Sequence, residues 1–280
     1  MNVAKSVASK SRTFEKILTS CRDILLHEPM AAEARDYLDS RMSREAQERH
    51  GFGFFPPDDG LMRLIDAVGN RVLKQRLLVY PKVVSGARTK HGHFHYHNIV
   101  MPFKDVHGHV VSMVGRTLLS SDDQKEVGIP KYKYSFGANK QLYLYGMDRA
   151  KDAIIAKDFV ICVEGQMDCI ACHEVGIMNV VACGGANLLP IQFFQLRRYT
   201  NNLVLLLDND DAGKTARDRI KRRYEQHANV GVMTPPGGFK DIDELLRGST
   251  EERRQHIISV LDNLYTQINR EKNGGQNKES

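Results

Sequence analysis

The sequence predicts an α/β protein: a small parallel sheet flanked by helices, preceded by a mixed α+β subdomain. Three observations carry this. Short apolar runs recur in the second half at FVICV (159–163), VVAC (180–183), LVLLL (203–207) and NVGVMT (229–234), and strands buried on both faces lose the polar alternation of a half-exposed sheet. Stretches of helical length, 166–175, 188–198 and 212–226, separate those runs; strand–helix–strand repetition of this kind builds a parallel sheet with helices on both sides. The first half has another texture, with helical segments followed by strand-like runs joined by short turns.

Taken in order, residues 1–14 carry Lys5, Lys10 and Arg12 without an acid and read as a basic tail. Residues 13–27 place apolar side chains at helical spacing and stop before Pro29. AAEARDYLDSRM (31–42) and SREAQERHG (43–51) are two further helical stretches, closed by Gly51 and Gly53; the PPDDG cluster at 56–60 is a strong breaker, and 61–76 is helical again. LLVYPKVV, HFHYHNIVMPF and HVVSMVGRTLL then read as strands between 77 and 119. After the parallel-sheet region, Ser249-Thr250-Glu251-Glu252 resembles a capping box opening a last helix to about Arg270, and 271–280 reads as a disordered tail. The expected divisions are 1–28, 29–150, 151–247, 248–270 and 271–280.

At 280 residues the chain is long enough for one large or two small cores. Lys and Arg number 40 against 34 Asp and Glu, a net charge of +6 that suits a polyanionic partner. No apolar run approaches the roughly 18 residues of a membrane span, and the opening has no signal-peptide core, so the expectation is a cytoplasmic protein, with an organelle-targeting arm the weaker reading of the basic start. Four of the five cysteines crowd between Cys162 and Cys183, which argues for buried thiols in a reducing compartment.

The chemistry is carried by acids. Glu164 directly follows the first parallel strand and Asp168 lies one helical turn on; Asp208 and Asp210 end the third strand; Asp241 and Asp243 follow the fourth. Sites in open parallel sheets gather beyond the carboxyl ends of the strands. Two carboxylates about 5 Å apart repel by roughly 3 kcal/mol at an effective dielectric near 20, so such a cluster needs protons or cations. Oxygen ligands without a His/Cys set favour Mg²⁺ or Mn²⁺ and no zinc site, and such ions clamp the attacking and leaving oxygens of phosphoryl transfer. The plainer alternative is that each pair merely caps a helix. Gly165, Gly184, Gly185 and Gly213 beside the acids would let backbone approach a phosphate or metal closely, with Lys214 next to the last of them.

E-G-x-x-D, then D-x-D-x-A-G, then D-x-D across 159–243 resembles the TOPRIM domain shared by DnaG-type primases, topoisomerases and some nucleases. A-R-D-Y-L-D-S-R-M-S (34–43), H-G-F-G-F-F-P-P (50–57), N-I-V-M-P-F-K-D-V-H-G-H-V-V-S-M-V-G-R-T-L (98–118), P-K-Y (130–132), Lys140 and L-Y-G (144–146) resemble the DnaG-type primase catalytic core. The resemblance implies an RNA-primer polymerase on single-stranded DNA, using nucleoside triphosphates. Glu164, Asp208 and Asp210 would be catalytic, all six acids would form the metal set, and Arg116, Lys131 and Lys140 would hold template or incoming nucleotide. It also implies a core without the zinc-binding and helicase-binding domains, so that a replicative helicase or a separate zinc-binding initiation subunit would be a partner. Asn98 stands where the family has a basic residue, and Ile242 where it has proline. A TOPRIM nuclease using the same acids, or a non-catalytic nucleic-acid-binding accessory, are the alternatives.

Three weaker signals remain. Cys169-Ile-Ala-Cys172-His173 has the form of a haem-attachment motif, but its place in a helix favours buried thiols. His91, His93, His95 and His97 alternate, as four imidazoles on one strand face would. Lys214, Arg217, Arg219, Lys221, Arg222 and Arg223 crowd one helix, either a solvated face or a nucleic-acid track.

Overall fold

The computed structural model describes residues 3–57, 79–84, 87–235, 238–248, 250–252 and 254–261, with Leu61, Leu64, Gly69 and Asn263. The chain divides into two compact units at 140/141.

In the first unit α1 (Val3–His27) is one helix. It begins ten residues before the expected start, taking in the basic stretch. The reason is burial one turn ahead of the apolar stripe: Ser11 is buried and its hydroxyl accepts the Val110 N–H at 2.9 Å. Phe14, Ile17, Leu18, Cys21 and Leu25 form the stripe, and most of it packs with Phe55, Phe94, Val100, Val110 and Met113 as the core of this unit. A short 3-10 turn (Pro29–Ala31), α2 (Ala32–Asp39) and α3 (Arg44–His50) follow, α3 being capped by the Ser43 hydroxyl at its start and by left-handed Gly51 at its end.

An antiparallel sheet of β1 (Gly53–Phe54), β4 (Ile99–Lys104), β5 (Val110–Arg116) and β6 (Tyr132–Tyr134) in that order completes the unit, along with the hairpin β2 (Val79–Val84) and β3 (Ala87–Gly92). Helix α4 (Ser121–Val127) links β5 to β6. The 61–76 helix expectation falls largely outside the described residues.

The run of histidines does not continue as a strand beyond His91. β3 ends at Gly92, and residues 93–96 turn, with His95 N–H donating to Gly92 O and His97 N–H to Phe94 O. The turn lets Phe94 reach the core against Gly115, where a Cβ would stand 2.3 Å from the Phe94 ring. His93 and His97 are buried with it and donate from Nε2 to the carbonyls of Tyr134 and Pro130 at 2.9 and 2.7 Å. Burial pushes both imidazoles below their ordinary pKa, so they stay neutral.

The second unit has a wholly parallel sheet in the order β10 (Asn229–Val232), β9 (Asn202–Leu206), β7 (Val160–Val163), β8 (Val180–Ala182). Every residue of β7, β8 and β9 is buried, as their unbroken apolar runs require. Helices α5 (Met147–Lys157), α6 (Gln166–Glu174), α7 (Pro190–Leu196), α8 (Asp211–Tyr224) and α9 (Ile242–Arg247) surround it. The Tyr224 ring stacks on Phe193 at 4.0 Å and its hydroxyl donates to Leu188 O, fixing α8 on α7. Described residues between 251 and 261 are helical, whereas Ser249 of the expected capping box, most of 262–270 and the tail 271–280 lie outside the described residues. No helix among the described residues is long and apolar enough to cross a membrane.

Candidate active site

Strand order fixes where chemistry can gather. The chain runs from β7 to β8 on one side and then returns to β9 on the other, so the topological switch lies between β7 and β9. Val163 pairs with Leu206 at their carboxyl ends, which sets Glu164 and Asp208 just beyond the two central strands. Glu164 is held by its backbone: its carbonyl accepts the N–H groups of Gly184 and Gly185 at 3.0 and 3.2 Å. Both glycines have positive φ, and this crossing of the loop after β8 is what they permit.

Asp168 sits in the first turn of α6, nearly buried, and its Oδ2 accepts the Gly165 N–H at 2.9 Å. Its carboxyl is pushed up to about 7, first by burial and then by the negative charges of Asp241, Asp208 and Asp243, with the Gly165 N–H working the other way. Asp243 N–H donates to Asp168 Oδ1 at 3.4 Å, and the Asp243 carboxylate is gripped by Arg247 through Nε and Nη2 at 3.0 and 3.1 Å. Asp241 caps α9, accepting the Glu244 N–H at 2.7 Å, and Asp210 caps α8, accepting the Gly213 N–H at 2.8 Å. The D-x-D loop is tied to the last acidic loop by Asn209 N–H donating to Lys240 O at 2.7 Å, and Lys240 Nζ stands 3.9 Å from Asp208 Oδ2.

The six acids therefore reach the same end of the sheet, and four of them feel one another electrostatically at Asp168. Capping and clustering are both realised: Asp168, Asp210 and Asp241 hold helix starts while contributing charge. Among the described residues no three His, Cys, Asp or Glu side chains close on a single point that could hold an ion. The donor set still suits a divalent cation. It is all oxygen, and burial together with the surrounding carboxylates pushes the Asp168 carboxyl up to about 7. Glu164, Asp208 and Asp210, from three loop positions at the switch point, are the groups that would hold such an ion. Two cations that sequence reasoning missed, Lys240 and Arg247, already offset part of this charge. Arg247 was findable, because Asp and Arg four residues apart in one helix pair directly.

The other predicted residues separate. Gly213 serves packing: a Cβ there would stand 2.1 Å from Asp208 O, so α8 can begin against the strand end only with glycine. Lys214 is exposed beside Asp211 at 3.7 Å. Arg217 leaves the basic helix face altogether; it is buried and donates to Met233 O and Thr234 Oγ1 at 3.3 and 3.1 Å. In α6, Cys169 and Cys172 are buried with raised thiol pKa, and His173 Nε2 donates to Val180 O, so the haem-like motif is core packing.

The first unit holds the predicted basic residues. Arg116 ends β5, directly opposite Tyr132 of β6, and is only 8% exposed. Its guanidinium carbon lies 4.6 Å from the Tyr37 ring centre and 5.7 Å from that of Tyr132. Lys131 Nζ lies 5.8 Å from the Tyr132 ring and Lys140 Nζ 5.1 Å from Tyr134. Asn98 donates from Nδ2 to Phe55 O at 2.9 Å.

Residues 22–151 match the family described as DNA primase catalytic core, N-terminal domain, and residues 161–246 match the Toprim-like family. The DNA primase of Thermotoga maritima is 32% identical over 78% of this chain and 38% of its own length. That of Escherichia coli K12 is 30% identical over 81% of this chain and 39% of its own. The chain thus spans less than half the length of these curated relatives. A solved structure described as the DnaG catalytic core superposes with a TM-score of 0.70 at 26% identity, covering 89% of this chain and 79% of that one. Another, a DnaG primase catalytic domain bound to ssDNA, gives 0.69 at 25% identity, covering 91% and 83%.

Proposed function

The chain belongs to the DnaG-type primase catalytic-core family, and from that premise we propose that it synthesises short RNA primers on single-stranded DNA by divalent-metal-dependent nucleotidyl transfer. The observation that carries the reading is the convergence of acids at the switch point, where burial first, and then the charges of Asp241, Asp208 and Asp243, push the Asp168 carboxyl up to about 7. In this reading the 3′-hydroxyl of the growing strand attacks the α-phosphate of a nucleoside triphosphate, and pyrophosphate leaves. A divalent ion held by Glu164, Asp208 and Asp210, Mg²⁺ or Mn²⁺ by donor chemistry, would supply Lewis-acid stabilisation of the transferring phosphate. Glu164 takes up the hydroxyl proton or serves as a ligand. Asp168, through the Gly165 and Asp243 N–H groups, holds two acidic loops in register. Arg116, Lys131 and Lys140 bind phosphates of template or nucleotide. Its partners in this reading are single-stranded DNA and nucleoside triphosphates.

The test is incubation with single-stranded DNA, labelled ribonucleotides and Mg²⁺ or Mn²⁺. Short labelled oligomers are expected from the native chain and none from the double substitution Asp208→Ala, Asp210→Ala, which still binds single-stranded DNA. Undiminished synthesis by that variant removes the mechanism. Shortening of labelled DNA without added nucleotides would assign the same acids to a nuclease.

A further inference from the structure

Two glycines in succession give a loop little stiffness of its own. Gly184 and Gly185, at φ 76° and 147°, are nonetheless the residues whose N–H groups hold the Glu164 carbonyl. Their position therefore depends on what holds the chain just after them. Two anchors do so, both from α8. Arg219 Nη2 donates to Ala186 O at 2.6 Å, and the Tyr224 hydroxyl donates to Leu188 O at 2.9 Å. Tyr224 is buried and stacked on Phe193, as its place in the core requires. Arg219 is different: it is exposed, one of the cations that make α8 basic, with Lys214, Lys221, Arg222 and Arg223.

One helix thus has two duties. Its start is capped by Asp210 of the D-x-D loop, and about two and a half turns later it grips the glycine loop that carries Glu164. A small divalent ion shared by these acids demands near-ideal oxygen geometry, so their separation must be held closely. We infer that Arg219 is a positioning residue: through Ala186 and the two glycines it holds Glu164 at a fixed distance from Asp208 and Asp210, so that one ion meets all three. This rests on the metal-dependent reading given above. It also gives the basic helix a use that is neither a solvated face nor a nucleic-acid track, and it has a distinctive sign. By charge alone, removing a cation near an acidic cluster should tighten metal binding; removing a positioning residue should weaken it.

The experiment titrates the full chain with Mn²⁺, reading free ion by electron paramagnetic resonance without nucleotide or DNA. Binding of a labelled oligothymidylate is followed separately across a salt series. Arg219→Ala is expected to weaken Mn²⁺ about fivefold, less than the roughly 10- to 100-fold lost with groups that touch a metal ligand directly. Arg219→Lys, which keeps a donor, is expected to come within about twofold of the native chain. The metal-free melting temperature of Arg219→Ala is expected to fall by no more than about 2–4 °C, since the lost hydrogen bond is exposed. Its oligonucleotide affinity and salt slope are expected to match the native chain's. Mn²⁺ binding that is unchanged or tighter in a folded Arg219→Ala chain overturns the assignment. So does native Mn²⁺ binding combined with a salt slope lowered by about one phosphate, which places Arg219 on a nucleic-acid track. If Arg219→Ala does not fold, Arg219→Met, which keeps the aliphatic stem, carries the same test. A native chain that neither binds Mn²⁺ nor makes primers fails the metal-dependent reading and takes this inference with it. Native and Arg219→Ala chains that bind Mn²⁺ and make primers equally well sink the positioning role alone.

Discussion

Asp168 shows how one side chain registers a whole site. Its ordinary pKa of 3.8 rises to about 7 in the folded chain. Between those values the folded state holds a proton that the unfolded state has released. The contribution of this group to stability is therefore greatest below about pH 4, falls as pH rises toward 7, and levels above it. The metal-free chain should melt at a lower temperature at pH 8 than at pH 5, with a contribution of a few kcal/mol from this group. Asp168→Asn, measured by thermal denaturation at both pH values, should remove most of the difference. Mg²⁺ added at pH 8 should raise the native chain's melting temperature by offsetting the ionised cluster, and an absence of any metal-dependent rise would count against a cation site among these acids.

Among elements, the close start of α8 against the end of β9 is the tightest requirement. Gly213 is fixed there by the Asp208 carbonyl, 2.1 Å from where a Cβ would sit, and its N–H is the donor that Asp210 caps. Gly213→Ala must push the helix away from the strand, and it should lower the urea midpoint by an amount equivalent to about 2 kcal/mol. Because the displaced segment carries Asp208 and Asp210, primer synthesis should fall with it. A Gly213→Ala chain of native stability would show that the contact relaxes without cost. At this scale the strand and helix positions in the second unit were legible, since LVLLL and FVICV admit no half-exposed role. The turn at 93–96 was not. Alternating histidines read as a strand, and only the burial of Phe94 against Gly115 bends the chain there.

For the whole molecule, charge matters more than any one pair. A chain of 40 basic and 34 acidic residues gathers Asp168, Asp208, Asp241 and Asp243 at one end of one sheet, so its binding to a polyanion depends on cations placed elsewhere. Affinity for single-stranded DNA should fall linearly with the logarithm of salt concentration, at about 0.7 per phosphate contacted. Arg116→Ala should reduce that slope, and Arg217→Ala should leave it unchanged while lowering stability, because Arg217 is spent on the carbonyls behind α8. Equal salt slopes for the native chain and Arg116→Ala would remove Arg116 from the DNA-contacting set.

The sequence by itself determined the parallel sheet, the ends at which its acids emerge and the family to which both halves belong. These follow from local periodicity and from motifs whose spacing survives in one dimension. Tertiary structure alone decided which charges do what. It turned Arg217 inward, paired Asp243 with Arg247, set Lys240 beside Asp208 and laid Arg116 on tyrosines from a helix and a neighbouring strand. Those outcomes depend on distances between residues far apart in the chain, and on burial, and neither is written in the order of the amino acids.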